Sequence, residues 1–238
     1  MKKVLFGFVV LFMSSQVSVA QTSPANSKNQ YDNVGKIHNI LLEEFQSKFA
    51  GKGLSVEQIC LETEKIANNN PEFVALKDEN YKPINVEMIK NASQDFKNNF
   101  QTVIKTSKLS AEGKLRAQEL IDYIFAAGFN SQYTKYSDFY TYIVKFEDRI
   151  IANSKLTVED KGAILSGTST ARYSIYFWDK KFGGSSQPAA KRGFWGSLLV
   201  GVCDVGGAVV GYFEGGVQTA LQTASATSSL AGEVIDKK

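Results

Sequence analysis

The chain has few of the residues from which catalytic and metal sites are most often built. Among its 238 residues there is one histidine, His38, and there are two cysteines. A metal site needs several converging ligands, so we interpret His38 as a solvated or capping residue rather than a ligand. The hydroxyl-rich run SGTST at 166–170 likewise has no histidine nearby in sequence to act as a base. We therefore predict no enzyme activity, no metal and no cofactor.

Proline and net charge are scarce as well. Four prolines against 16 Phe and 10 Tyr argue against a disordered chain. The formal net charge is +3, and without Lys2 and Lys3 the chain has 25 basic and 24 acidic residues. This balance generates no field that attracts nucleic acid, so we predict no nucleic-acid partner. No motif indicates a small-molecule ligand.

The first 20 residues have the three parts of a secretory signal peptide. Lys2 and Lys3 precede an apolar stretch at 4–13, and Ser18-Val19-Ala20 forms a small-residue cleavage site before Gln21. The apolar core is shorter than the ~20 residues that span a bilayer. We predict a cleaved signal peptide at 1–20 and export from a bacterium to the periplasm, the outer membrane surface or the medium.

The two cysteines, Cys60 and Cys203, allow two interpretations. In an oxidising compartment they could form a disulfide that joins the tail to the body of the protein. They could equally be two separate buried thiols, because cysteine is among the most buried residue types. Two cysteines do not make a disulfide scaffold in either case.

The body of the protein reads as helical. After a flexible lead-in at 21–30, apolar residues recur every three or four positions through 31–182, and no segment alternates as a sheet strand does. We predict an all-α bundle of about six helices, followed by a linker at 183–192 and a Gly-rich helical tail at 193–238. The start signals are residues typical of N-caps: Ser55 with Gln58, Asn85, Ser110, Ser137, and Thr157 with Asp160.

The last helix of the predicted body carries an aromatic cluster. Its core-facing seam is Ile164, Thr168, Ala171, Ile175, Trp178 and Phe182. Tyr173, Tyr176 and Phe177 lie beside Trp178 in sequence and could stack on a ligand. We interpret the cluster as core packing, because aromatic side chains bury a large area.

The tail has small residues at a spacing of four. Glycine costs roughly 0.8–1 kcal/mol relative to alanine in a helix, so a compensating gain is needed. Small residues let another helix approach closely, as in GxxxG motifs and glycine zippers. We predict a helix-packing face formed by Cys203, Gly207, Gly211, Gly215, Thr219 and Thr223, continuing through Thr227 and Ala231.

Three interpretations of this face are open. The tail could associate with a membrane or with other copies, because 193–213 is about the length of a bilayer span. Asp204 lies in the middle of that stretch, and Lys191 and Arg192 precede it, so insertion after secretion suits it better than a stop-transfer anchor. The tail could instead fold back on the body, or it could stay flexible.

Two stretches carry a resemblance. YDNVGKIHNILLEEF and LTVEDKGAILSGTSTARYSIYFW, followed by Lys-Arg and a Gly/Ala-rich tail, resemble uncharacterised exported proteins of Bacteroidota. The tail is similar to two-peptide bacteriocins with GxxxG helices, although their leaders end in Gly-Gly and Gly183-Gly184 here follows a long body. The resemblance implies no established activity. The leading hypothesis is an exported, non-enzymatic helical protein whose tail mediates helix–helix or membrane association, and the alternative is a soluble binding or structural protein.

Overall fold

The computed structural model describes residues 23–77, 79–87, 89–90, 101–102, 104–129, 136–182 and 189–236. The predicted signal peptide, residues 183–188 of the predicted linker and most of the helix predicted to start at Asn85 lie outside the described residues. The described part of the chain contains helices packed against one another and no strand, so the predicted all-α bundle is confirmed.

The described helices follow one another along the chain, with short connections except for the long stretch between α3 and α4. Their bounds are Asp32–Phe49 (α1), Val56–Asn69 (α2), Pro71–Val74 (α3), Ala111–Phe129 (α4), Tyr136–Ala152 (α5), Val158–Phe182 (α6) and Ala189–Asp236 (α7).

Several helices begin at the residues that the sequence indicates. Ser55 and Gln58 form a complete capping box at the start of α2. The Ser110 hydroxyl accepts a hydrogen bond from the Gly113 amide at 3.1 Å at the start of α4. The Thr157 hydroxyl accepts from the Asp160 amide at 3.0 Å at the start of α6. These contacts span three residues, which is why local sequence predicts them.

Helix α6 is the central helix of the bundle. Every residue from 162 to 172 is buried, although the sequence predicted a single buried seam. The reason is that α1, α4, α5 and α7 all pack against it, with α7 making the most extensive contact. One hydrophobic cluster joins α4, α5 and α6, and a second joins α1, α2 and α3 to Leu221 of α7.

Helix α7 is broken in the middle, and its two halves pack against each other. Gly215 and Gly216 leave the helical conformation, and Gly216 has a φ of 76°, a value that favours glycine. Gly211 lies against Ala220 and Gly207 against Ala224, so 189–214 (the first arm) and 217–236 (the second arm) run antiparallel. The tail is therefore a helical hairpin, and not the one continuous grooved helix that the spacing predicted.

Candidate functional site: the buried tail hairpin

The first arm meets the second arm at glycine. A Cβ atom added to Gly211 would lie 2.6 Å from the Thr219 carbonyl oxygen and 2.7 Å from the Ala220 Cα. A Cβ atom added to Gly207 would lie 3.1 Å from the Ala224 Cα. The backbones of the two arms therefore touch at positions where any larger side chain would separate them.

The other predicted packing residues have three different surroundings. Cys203 is buried in one hydrophobic cluster with Ala231 of the second arm. Gly215 and Thr219 lie at the reversal, against the segment before Pro83, where the Thr219 hydroxyl donates to the Lys82 carbonyl oxygen at 2.9 Å. Thr223 is fully buried, and among the described residues its hydroxyl has no hydrogen-bond partner.

The second arm is a polar helix that is buried on all sides. Every residue from 218 to 229, the sequence QTALQTASATSS, is buried. Its hydroxyls are partly satisfied by the helix itself, because Ser225 donates to the Leu221 carbonyl at 2.9 Å and Ser229 donates to the Ser225 carbonyl at 2.8 Å. Small side chains that hydrogen-bond to the backbone of their own helix let neighbouring helices approach and leave few polar groups without a hydrogen-bond partner.

The lone histidine is part of this interior, which corrects the expectation that it is solvated. His38 lies on the buried face of α1, and its Nε2 atom is 3.7 Å from the Asp204 Oδ2 atom of the first arm. Both side chains are fully buried. The His38 Nδ1 atom is 3.1 Å from the Asn39 Oδ1 atom, a contact that favours the tautomer with the proton on Nδ1 and leaves Nε2 facing Asp204.

Burial shifts the pKa values of both members of this pair towards their uncharged forms. Burial lowers the pKa of His38 to about 4, and the nearby Asn39 side chain and Ala224 backbone only partly offset this shift. Burial also raises the pKa of the Asp204 carboxyl well above its usual value, against the hydroxyls of Ser174, Ser228 and Thr227. The acid in the middle of the first arm is therefore a carboxyl group with a raised pKa that faces a neutral imidazole.

The two cysteines do not form a disulfide. Cys60 packs against Ile84, Ile89 and Ala226, whereas Cys203 belongs to the cluster of Trp178, Val200 and Ala231. Burial raises the pKa of Cys60 to about 11 and also raises that of Cys203, so both side chains are protonated thiols. Of the two sequence interpretations, the structure has the separate buried thiols.

A second buried polar centre was not found by sequence reasoning. The Arg172 side chain in α6 is fully buried, with its Nε atom 3.1 Å from Glu147 Oε1 and an Nη atom 2.6 Å from Asp32 Oδ1. The guanidinium also donates to the Pro24 carbonyl oxygen. The sequence signal was a single arginine inside the otherwise uncharged run AILSGTSTARYSIYFW.

The same centre holds the segment that precedes α1. Asn26 and Asn29 donate to the two carboxylate oxygens of Glu147 at 2.6 and 2.7 Å, and Thr168 donates to the second of these at 2.7 Å. Both asparagines are buried. The lead-in, predicted from its polar composition to be flexible, is thus hydrogen-bonded to the bundle at Asn26 and Asn29.

Neither a metal cluster nor a membrane span is found in the described part of the chain. No three His, Cys, Asp or Glu residues there are grouped so as to hold a metal ion. None of the helices described is both long and apolar enough to cross a bilayer. Comparison with protein-family models, with curated proteins and with solved structures finds no match to this chain.

Proposed function

We propose that the chain is an exported, non-enzymatic helical protein of the binding or structural kind, whose small-residue tail mediates helix–helix association within its own bundle. The observation that carries this proposal is that residues 203–209 of the first arm and 218–229 of the second arm are all buried. The glycines of the first arm lie against the second arm, and the second arm is enclosed by α1, α2 and α6. Export is inferred from the first 20 residues of the sequence.

The proposal that the protein is not an enzyme is supported by the position of its histidine. A general base must come within hydrogen-bond reach of a substrate proton. His38 is fully enclosed by α1 and the hairpin, so a substrate has no route to its ring without opening the bundle.

A nicked protein tests where the tail belongs. We would insert a specific protease site between Ser185 and Ser186, cleave the mature protein, and separate the products by gel filtration. The fragment that contains the hairpin is expected to elute with the body in buffer and to separate from it only in denaturant. Separation in buffer would contradict the proposal. The Gly211→Leu variant serves as the control, because a large side chain between the arms should release the fragment.

Association of the hairpin with a membrane is a second candidate function. It is favoured by the single charged residue between Gly193 and Phe213, since burial raises the pKa of that residue, Asp204, and so reduces the cost of placing it in an apolar environment. The nicked protein also tests this candidate by flotation with vesicles. Recovery of the hairpin fragment with the vesicles, and of the body in the soluble fraction, would favour the membrane function. Recovery of both fragments together in the soluble fraction would exclude it.

A further inference from the structure

The aromatic residues of α6 do not all belong to the core. Trp178 is fully buried, and its indole nitrogen donates to the Ser228 hydroxyl at 3.2 Å. Tyr173, Tyr176 and Phe177 are only half-buried, and they line a surface groove between α1 and α6 with a volume of about 770 Å³. The interpretation of the whole cluster as core packing is therefore correct for Trp178 and incomplete for the other three.

The groove runs lengthwise because α1 and α6 are parallel. The Asn39 side chain donates to the Tyr173 carbonyl oxygen at 2.8 Å. Further towards the C-terminal ends of both helices, Lys181 donates to the Gln46 side chain at 2.5 Å. Its lining extends along α1 from Lys36 to Ala50, a distance of roughly 20 Å at the rise of an α-helix. A long, narrow ligand fits this shape better than a compact one.

Charge is distributed unevenly along the groove. The lining includes three lysines, Lys36, Lys180 and Lys181, and one carboxylate, Glu43. Lys36 is paired with an exposed glutamate of α3, but Lys180 forms no ion pair with any described residue and lies 4.3 Å from the centre of the Tyr176 ring. The end of the groove at Lys180 and Lys181 therefore carries a positive charge next to an apolar surface.

We propose that this groove binds a single-chain amphiphile with a carboxylate head, such as a free fatty acid. The alkyl chain lies along Ile40 and the aromatic residues, and the carboxylate meets Lys180 and Lys181. The volume is within the range of ligand pockets, about 300–1,000 Å³, and apolar lining with a few polar groups at one end is typical of them. A groove between two helices admits one chain, whereas the surface of a bilayer cannot enter it. The site does not involve the hairpin, so it is independent of the function proposed above.

Calorimetric titration of the mature protein with alkyl carboxylates below their micelle concentrations tests the site. Dodecanoate is expected to bind with one-to-one stoichiometry. Affinity should rise about two- to fourfold for each methylene added from octanoate to dodecanoate, because each one removes further apolar surface from water. Dodecyltrimethylammonium should bind at least tenfold more weakly than dodecanoate. Equal binding of the cation, or affinity that does not change with chain length, would overturn the proposal.

Two variants locate the binding. Ile40→Glu places a negative charge on the floor of the groove and should weaken dodecanoate binding at least tenfold. Ile151→Glu makes the same change at a 39% exposed position of α5, outside the groove, and should leave it unchanged. Equal effects of the two variants would contradict the assignment.

Lys180→Gln keeps the test usable if Ile40→Glu fails to fold, because Lys180 is exposed. It should weaken dodecanoate severalfold and leave the binding of dodecyl maltoside unchanged. Loss of both ligands, or of neither, would argue against a carboxylate at this lysine. If the protein does not bind monomeric dodecanoate but floats with phosphatidylglycerol vesicles, the groove region binds a membrane surface instead. The proposal would then be wrong.

Discussion

The bundle contains two buried polar centres, and they differ in how they avoid an uncompensated charge. Around Arg172 the guanidinium pairs with the carboxyl groups of Glu147 and Asp32 (the ionic centre), and each carboxyl oxygen of Glu147 accepts at least one hydrogen bond. Between His38 and Asp204, burial shifts both pKa values towards the neutral forms. A buried carboxylate is stable only where enough hydrogen-bond donors surround it. Where donors are few, a shift of the pKa towards the neutral form costs less free energy.

The difference follows from the space around each centre. The segment 23–31 brings two asparagine side chains to Glu147, which long helices packed face to face could not supply. The hairpin arms touch through their backbones, so only short hydroxyl side chains fit beside Asp204. Among the described residues, the His38 Nε2, Asp204 Oδ2 and Thr223 Oγ1 atoms have no hydrogen-bond partner. The hairpin interior is therefore the less saturated of the two.

The largest effect is expected from removing the cation of the ionic centre. Arg172→Met leaves Glu147 buried without its charged partner, which should lower the free energy of unfolding by about 3–5 kcal/mol. Arg149→Met is the control, because Arg149 pairs with Glu119 at an exposed site and should cost less than about 1 kcal/mol. Urea denaturation followed by circular dichroism measures both. Similar losses in the two variants would show that the ionic centre is not special.

Acid is expected to destabilise the protein through the buried pair of His38 and Asp204. The pKa of His38 is about 4 in the folded state and about 6.5 in the unfolded chain, so protons bind preferentially to the unfolded chain as the pH falls. Stability is expected to fall between pH 6.5 and 4, by about 3 kcal/mol for this group. His38→Gln should lack this part of the pH dependence.

Denaturation curves of both proteins at pH 7.5 and pH 4 measure that difference, since the exposed carboxylates contribute equally to each. Parallel pH profiles would show that His38 is protonated as readily in the folded state as in the unfolded chain. The neutral description of the pair would then fail.

A smaller loss is expected from a methyl group between the arms. Gly211→Ala brings a Cβ atom within 2.7 Å of the Ala220 Cα, and overpacking of this kind costs about 1–3 kcal/mol. Gly167→Ala is the matched control, because its Cβ atom would meet its nearest neighbours at 3.5 Å. That change should be neutral or stabilise α6 by up to about 1 kcal/mol. Thermal melts of the two variants should therefore shift in opposite directions or differ clearly in size.

The smallest effect is expected from a comparison of two buried hydroxyls, one that donates a hydrogen bond and one that has no partner among the described residues. Thr223→Val removes a buried hydroxyl that has no partner among the described residues, so stability should be unchanged or rise by up to about 1 kcal/mol. Thr168→Val removes a hydroxyl that donates to Glu147 at 2.7 Å, and it should lose about 1–3 kcal/mol. Chemical denaturation of the pair is the measurement. Equal losses would mean that Thr223 has a partner, such as an ordered water.

Local features of the fold were predictable, and long-range ones were not. The caps at Ser55, Ser110 and Thr157 depend on residues three positions away, so the sequence indicates them directly. The burial of His38 was also indicated, because it shares a helix face with Val34 and Leu42. It was missed because histidine was judged by its type and not by its position.

The site itself was predicted only in part. Spacing identified Gly207 and Gly211 as positions of close approach, but it could not show which helix approaches them. The four-residue repeat continues across Gly215 and Gly216, so nothing local distinguishes a break there from a continuing helix. The positive φ at Gly216 depends on the packing of the second arm, which sequence periodicity does not contain.

The position of the second arm sets an order for folding. It follows, in the chain, every helix that encloses it, yet it lies between α1, α2 and α6. A chain that ends before residue 217 lacks the side chains that fill the space between these three helices, whereas the apolar cluster of α4, α5 and α6 includes none of the second arm's residues. The packing of α1, α2 and α6 around the second arm is therefore completed by the last part of the chain to be synthesised.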